Sequence, residues 1–216
     1  SAIDAVAVKE SALDGSAGQH PGTMPSDRGE TASGKVTISA GSDRVASLEL
    51  DVAAFNQANH LMSGGKAVTL APHSTGWYLA TAEGGKPVFW VHLDVNGSYS
   101  VHLVGQLDHG AQGKDELTIE VPLFVTDHDG DRSPNVSVTL TVQDDMPIGT
   151  VLAHTLSEGS SAVTGDLLPT ANEGADGARV ESITINGQTY VINGSLTQDV
   201  MSPDGKQVMG SLTISA

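Results

Sequence analysis

The chain contains no cysteine, which removes disulfides and thiolate metal sites as means of stabilising it. It has ten Lys and Arg against twenty-six Asp and Glu, a net charge of −16. Nucleic acid and anionic membrane surfaces are held mainly through basic side chains, so neither is expected as a partner. No apolar run reaches the ~18 residues of a spanning helix, and no signal-peptide core lies near the start, so this segment is not expected to insert in a membrane. The chain begins at Ser1 rather than Met, as expected of a piece of a longer protein. Aromatic residues make up 4 % of it. With so few, Trp77, Tyr78 and Trp90 are expected as core anchors, and a sugar-stacking platform is the other use they could serve.

What is present in excess is acid, and its placement is specific. Val125-Thr126-Asp127-His128-Asp129-Gly130-Asp131 is followed, after a β-patterned run, by Gln143-Asp144-Asp145-Met146-Pro147. Aspartates at alternate positions around a glycine can turn their oxygens toward one hard cation, and Ca²⁺ takes 6–8 oxygen ligands at about 2.3–2.6 Å. Asp and Gly are also ordinary turn residues that bond to their own backbone. The spacing is not that of an EF-hand, which has glycine at its sixth position and a bidentate Glu at its twelfth. The glycine-rich nonapeptide of a calcium β-roll is absent too. A site here must therefore be assembled from separate loops. Bound Ca²⁺ would relieve the mutual repulsion of the acids and take the place of the missing disulfides.

The hydrophobic period is two, the mark of strands with one buried face. Phe89, Val91 and Leu93 alternate with Trp90 and His92, Leu117 to Val125 alternate with Thr118, Glu120 and Pro122, and Val136 to Val142 alternate with Ser137, Thr139 and Thr141. Asn96-Gly97 and Asn186-Gly187 sit between such runs, as type I′ hairpin turns prefer. Pro122 cannot donate to a ladder, so its strand is expected at an edge or bulged. Only Asp51 to Met62 suggests a short helix. Many short strands with frequent turns predict an all-β chain of sandwich topology. The acid-proline cluster at 144–147 divides it into a first module, residues 1–146, and a second β segment, residues 147–216, that is small for a sandwich and is expected to be incomplete, either truncated or completed by a strand elsewhere.

In order along the chain, Val88-Phe89-Trp90-Val91-His92-Leu93-Asp94-Val95-Asn96-Gly97-Ser98-Tyr99, Leu107-Asp108-His109, Leu117-Thr118-Ile119, Val125 to Asp131 and Asp144-Asp145-Met146-Pro147 resemble the tandem repeat of type I-secreted RTX adhesins. These are giant surface proteins of Gram-negative bacteria. The second segment resembles the start of a related repeat through Ala162 to Leu168 and Gly174 to Ala178. The resemblance implies an immunoglobulin-like or cadherin-like β-sandwich, strung end to end with neighbouring modules of the same adhesin, monomeric and extracellular, with Ca²⁺ at the junctions. Asp127, Asp129 and Asp131 would be loop ligands, Asp144 and Asp145 linker ligands, and Asp108 and Glu158 further candidates. Position 128 departs from the pattern, since a small residue is usual where His128 stands.

A non-catalytic extender follows from that resemblance, and a recognition module for a surface glycan or peptide is the alternative. Enzyme signatures are missing: there is no G-x-S-x-G elbow, no H-E-x-x-H and no Walker loop. His92 and His102 could face each other across the Asn96-Gly97 hairpin, though a zinc site would also want carboxylate or second-shell partners.

Overall fold

The computed structural model describes residues 5–16, 19–39, 44–110, 115–150, 153, 155, 162–185, 187–202 and 204–215. The chain forms two compact units, residues 1–148 with 170–177 and residues 149–169 with 178–216. The segment 170–177 thus belongs with the first unit although it follows the acid-proline cluster in sequence.

In the first unit the period-two runs become strands β1 (Ala5–Lys9), β2 (Thr31–Lys35), β3 (Val45–Leu50), β4 (Met62–Ser63), β5 (Lys66–Ser74), β6 (Trp77–Ala82), β7 (Lys86–Leu93), β8 (Ser98–Leu103), β9 (Glu116–Asp127) and β10 (Val136–Gln143). They form a four-stranded sheet, β1-β10-β9-β3, and a six-stranded sheet, β2-β8-β7-β6-β5-β4. Val8, Ile119, Leu123, Leu140 and Val142 from the first sheet and Leu70, Ala80, Phe89, Val91 and Leu103 from the second are fully or almost fully buried in one cluster, giving a sandwich-like arrangement. Such alternation buries one face of each sheet and leaves the other to solvent.

A helix, α1 (Val52–Ala58), closes one margin of this core. Asp51 caps it by accepting from the Ala54 N–H at 3.0 Å, as an aspartate before a helix does. Phe55 on its inner side is 1 % exposed and meets Phe89 edge-to-face, with ring centroids 6.3 Å apart. A register shift between Ala80 and Thr81 lets consecutive residues Val88 and Phe89 both face inward, the usual effect of a bulge.

Three local expectations change. β9 is a central strand, not an edge. Pro122 is accommodated because its carbonyl accepts from the Asp51 N–H at 2.9 Å, so its missing N–H faces the point where β3 ends and the chain turns into α1. The β7–β8 connection is a four-residue loop, Asp94–Gly97, rather than a two-residue turn. Asp94 accepts from the Asn96 N–H with its side chain and from the Gly97 N–H with its carbonyl. Gly97 has φ +89°, and a Cβ there would lie 2.2 Å from the Val36 carbonyl oxygen, so only glycine fits. Finally, Tyr78 is in the core, but Trp77 is 40 % exposed and Trp90 half-buried on the outer face of the six-stranded sheet.

The second unit contains two hairpins, β11 (Ser182–Ile185) with β12 (Gln188–Val191) and β13 (Ser195–Met201) with β14 (Val208–Ser215). The register Ile185↔Gln188 leaves a two-residue connection at 186–187, with Gly187 at φ +81° and Asn186 outside the described residues. Among the described residues no helix is long and apolar enough to cross a membrane.

Candidate metal centre

Strand register alone brings three carboxylates to one end of the four-stranded sheet. β1 runs parallel to β10 up to Lys9↔Gln143, so the next residues on each strand, Glu10 and Asp144, are neighbours. β9 and β10 are antiparallel with Gln143↔Glu116, which sets Asp115 beside Asp144, and the Asp144 N–H donates to the Asp115 carbonyl at 3.1 Å. The loop after β8 supplies His109. Among the described residues, Glu10, His109 and Asp144 form the one group of three whose ligand atoms all lie within 4.8 Å of one another.

Glu10 begins a short 3-10 turn (Glu10–Ala12) and is 0 % exposed. Its Oε1 accepts from the Leu107 N–H at 2.6 Å and lies 3.6 Å from His109 Nε2. The other nitrogen of that ring, Nδ1, is 2.9 Å from Asp115 Oδ1. The ring nitrogens make charge contacts rather than aligned hydrogen bonds. Glu10 Oε2 and Asp144 Oδ1 are buried without a hydrogen-bond partner, which is costly for a carboxylate oxygen. Asp176, from the 170–177 segment, is an exposed residue whose charge acts on both Glu10 and Asp144.

These contacts displace the ionisation of Glu10, His109, Asp144 and Asp176. Burial pushes Glu10 up to about 7, against the pull of His109 and the Leu107 N–H. Interaction with Glu10 lifts His109 to about 9, despite its burial. Asp144 is raised by burial, and Asp176 by its surroundings and the Asp144 charge. At neutral pH an imidazolium is thus the cation at the centre of an acidic cluster.

A pH dependence follows. The shifts of Glu10, His109 and Asp176, the last to about 6, are all upward, so the metal-free folded chain holds protons that the unfolded chain releases, and its stability falls as pH rises above the acid range. The contribution of Glu10 is present below 4.5 and lost through about 7, and that of His109 is present below 6.5 and lost through about 9. On the acid side Asp51, held down to about 2 chiefly by the Ala54 N–H, acts oppositely, because its contribution is lost as pH falls from 3.8 through 2. Melts in chelator should therefore give a maximum near pH 4 and a decline from there toward roughly pH 9. A flat profile over that range would mean that the cluster does not carry these shifts.

The five aspartates expected as ligands are placed differently. Asp144 belongs to the trio. Its neighbour Asp145 is 5 % exposed, and its oxygens accept from the Thr23 N–H at 2.8 Å and the Thr23 hydroxyl at 2.6 Å, which pins the loop after β1 to the end of β10. Asp127, Asp129 and Asp131 occupy the β9–β10 hairpin at the far end of those strands, roughly 25 Å away for eight residues of strand. There Asp127 Oδ1 accepts from the Asp131 N–H at 2.8 Å, the Gly130 N–H donates to the Asp127 carbonyl, and Gly130 has φ +94°. The Asp131 N–H also holds the Asp127 carboxyl below its usual range. Asp129, Asp131 and His128 are exposed.

Asp108, the further candidate, accepts from the N–H groups of Gly64 and Gly65 at 2.6 and 2.8 Å and fixes that turn. Glu158 lies outside the described residues. His92 and His102 are diagonal rather than opposed, since the pairs are His92↔Ser100 and Trp90↔His102. Sequence reasoning missed Glu10, Asp115 and Asp176 as site residues. The available signal was the apolar alternation of Val6 and Val8 running directly into Glu10, which becomes informative only once β1 is paired with β10.

The donor set fits a hard cation in part. Carboxylate oxygens from Glu10 and Asp144, one on each buried without a hydrogen-bond partner, suit Ca²⁺, and Asp176 is a further acid whose charge reaches both. An imidazolium does not ligate, so a metal would have to displace its proton or move the ring.

No protein-family model matches the chain, and no curated protein or solved structure matches it either.

Proposed function

We propose that the chain is a non-catalytic, calcium-stabilised extender module of a large bacterial surface adhesin of the type I-secreted RTX class, with an immunoglobulin-like or cadherin-like first module. The observation that carries this reading is the cluster at the end of β10, with its partnerless buried oxygens on Glu10 and Asp144. Glu10, Asp144 and Asp176 would hold the ion, which would supply positive charge where the fold otherwise relies on His109.

The mechanical consequence comes from connectivity. The chain passes between the two units after Ile148, before Thr170 and after Gly177. A cation tied to Asp144 and Asp176 would restrain the backbone next to those crossings. Freedom at the joint would then be reduced by mass action as calcium binds. An affinity in the ~10⁻⁴–10⁻³ M range of extracellular calcium modules would keep the joint stiff outside a cell and loose in cytosol, where the chain must stay exportable.

Small-angle X-ray scattering tests this. With millimolar Ca²⁺ the distance distribution should narrow and the largest dimension become sharply defined, whereas chelator should broaden both. Identical curves in the two conditions would remove the extender role even if an ion binds.

A further inference from the structure

None of the twenty-six acidic residues falls within the strands of the six-stranded sheet, whereas β3 and β9 of the other sheet carry Glu49, Glu116, Glu120 and Asp127. The acid-free sheet instead presents both tryptophans of the chain on its outer face. Trp77 and Trp90 lie 6.2 Å apart at 81°, the His92 ring lies against Trp77 at 4.3 Å and 31°, and His73 meets Trp90 edge-on at 4.9 Å.

This corner is built rather than incidental. A register shift between Pro72 and Ser74 places His73 at a bulge, a device that re-aims a side chain. Gly76, at φ +72°, accepts from the Leu93 N–H at 2.8 Å and fixes the turn that presents Trp77. Beyond the rings, the cross-strand rows continue as His92, Ser100, Ser33 and as Trp90, His102, Thr31.

We propose that this face is a glycan-binding site, with one pyranose ring stacked on Trp77 and its hydroxyls bonded to the imidazoles and serine hydroxyls alongside. A pyranose has an apolar C–H face and a polar edge, and indole beside imidazole and hydroxyl groups matches both. A protein partner fits less well: stable interfaces cover about 800 Å² on each side around an apolar core. Here the apolar surface is two indoles with Leu79 and Ala71, bordered by Ser and Thr. The strands themselves bring no carboxylate to this face, and Asp14 is the acid whose charge reaches it, at His102, which leaves the Trp77 side open to acidic as well as neutral sugars. The site is remote in function from the metal centre and does not depend on it.

The test is titration of the whole chain with cellohexaose and maltohexaose as neutral probes and hexagalacturonate as an acidic one. The two indole N–H resonances and tryptophan fluorescence are the readouts. The expected result is a saturable shift of the Trp77 resonance with at least one probe at millimolar concentration. Trp77→Ala should weaken binding about tenfold or more with an unchanged melting midpoint, and Trp77→Phe should retain part of it. Binding to hexagalacturonate alone, weakened by salt, would assign the site to acidic glycans, and salt-independent binding of a neutral probe would assign it to neutral ones. No shift with any probe would overturn the proposal. So would concentration-dependent self-association that Trp77→Ala abolishes, because a second copy would then be the occupant.

Discussion

Replacing His109 with leucine should lower stability in chelator by about 3–5 kcal/mol, the usual cost of removing one partner from a buried ion pair. Glu10 is 0 % exposed and the His109 side chain 3 %, so solvent cannot take over the role of counter-ion. The loss should be largest near pH 8, where Glu10 is ionised, and smaller below about pH 6, where protonation of Glu10 relieves it. Replacing both His109 and Glu10 with leucine should cost less than the single change, because the fully buried carboxylate is then gone, although Asp115 and Asp144 still lose the imidazolium beside them. Millimolar Ca²⁺ should return part of what the single variant loses, since the metal supplies the missing positive charge. Urea denaturation at two pH values measures all of this. A single-variant loss below about 1 kcal/mol would show that His109 is not the counter-charge of the cluster.

The strands were legible because their signal is local. Alternation in Phe89 to Leu93, Leu117 to Val125 and Val136 to Val142 depends only on neighbouring residues, and Asp51 before an apolar stretch marks a helix start by its own chemistry. The Asp94–Gly97 loop differed from the expected turn because Asp94 and Asn96 both bond to nearby backbone, which favours a longer connection over the two-residue one. The tryptophans were misplaced by composition. Scarcity suggested core anchors, yet the alternation that buries Phe89 and Val91 necessarily turns Trp90 outward.

The candidate centre was only half legible. Asp144 could be singled out because acid ends a strand there, while Glu10 lies at the other end of the module and becomes its neighbour only through the parallel pairing of β1 with β10. His109 was visible as part of a motif, but its charge depends on burial beside Glu10, which spacing does not encode. Asp127, Asp129 and Asp131 were legible as a loop. In that loop one carboxylate is already engaged by the Asp131 N–H, and the three do not converge as a ligand group among the described residues.

The second large effect is calcium-dependent stabilisation. An ion bound only by the folded state at about a hundred times its dissociation constant adds about 2.7 kcal/mol, or roughly 5–10 °C for a chain of this size. Thermal melts in chelator, Mg²⁺, Ca²⁺ and Zn²⁺ measure it most directly, carried out on the unmodified chain, on Asp144→Asn with Asp176→Asn, and on Asp129→Ala with Asp131→Ala. The predicted result is a rise with Ca²⁺ that Mg²⁺ does not reproduce and that the Asp144/Asp176 variant loses. Loss in the Asp129/Asp131 variant as well would add an ion at the hairpin. A midpoint indifferent to Ca²⁺, or one raised by Zn²⁺ alone, would contradict a calcium-stabilised module.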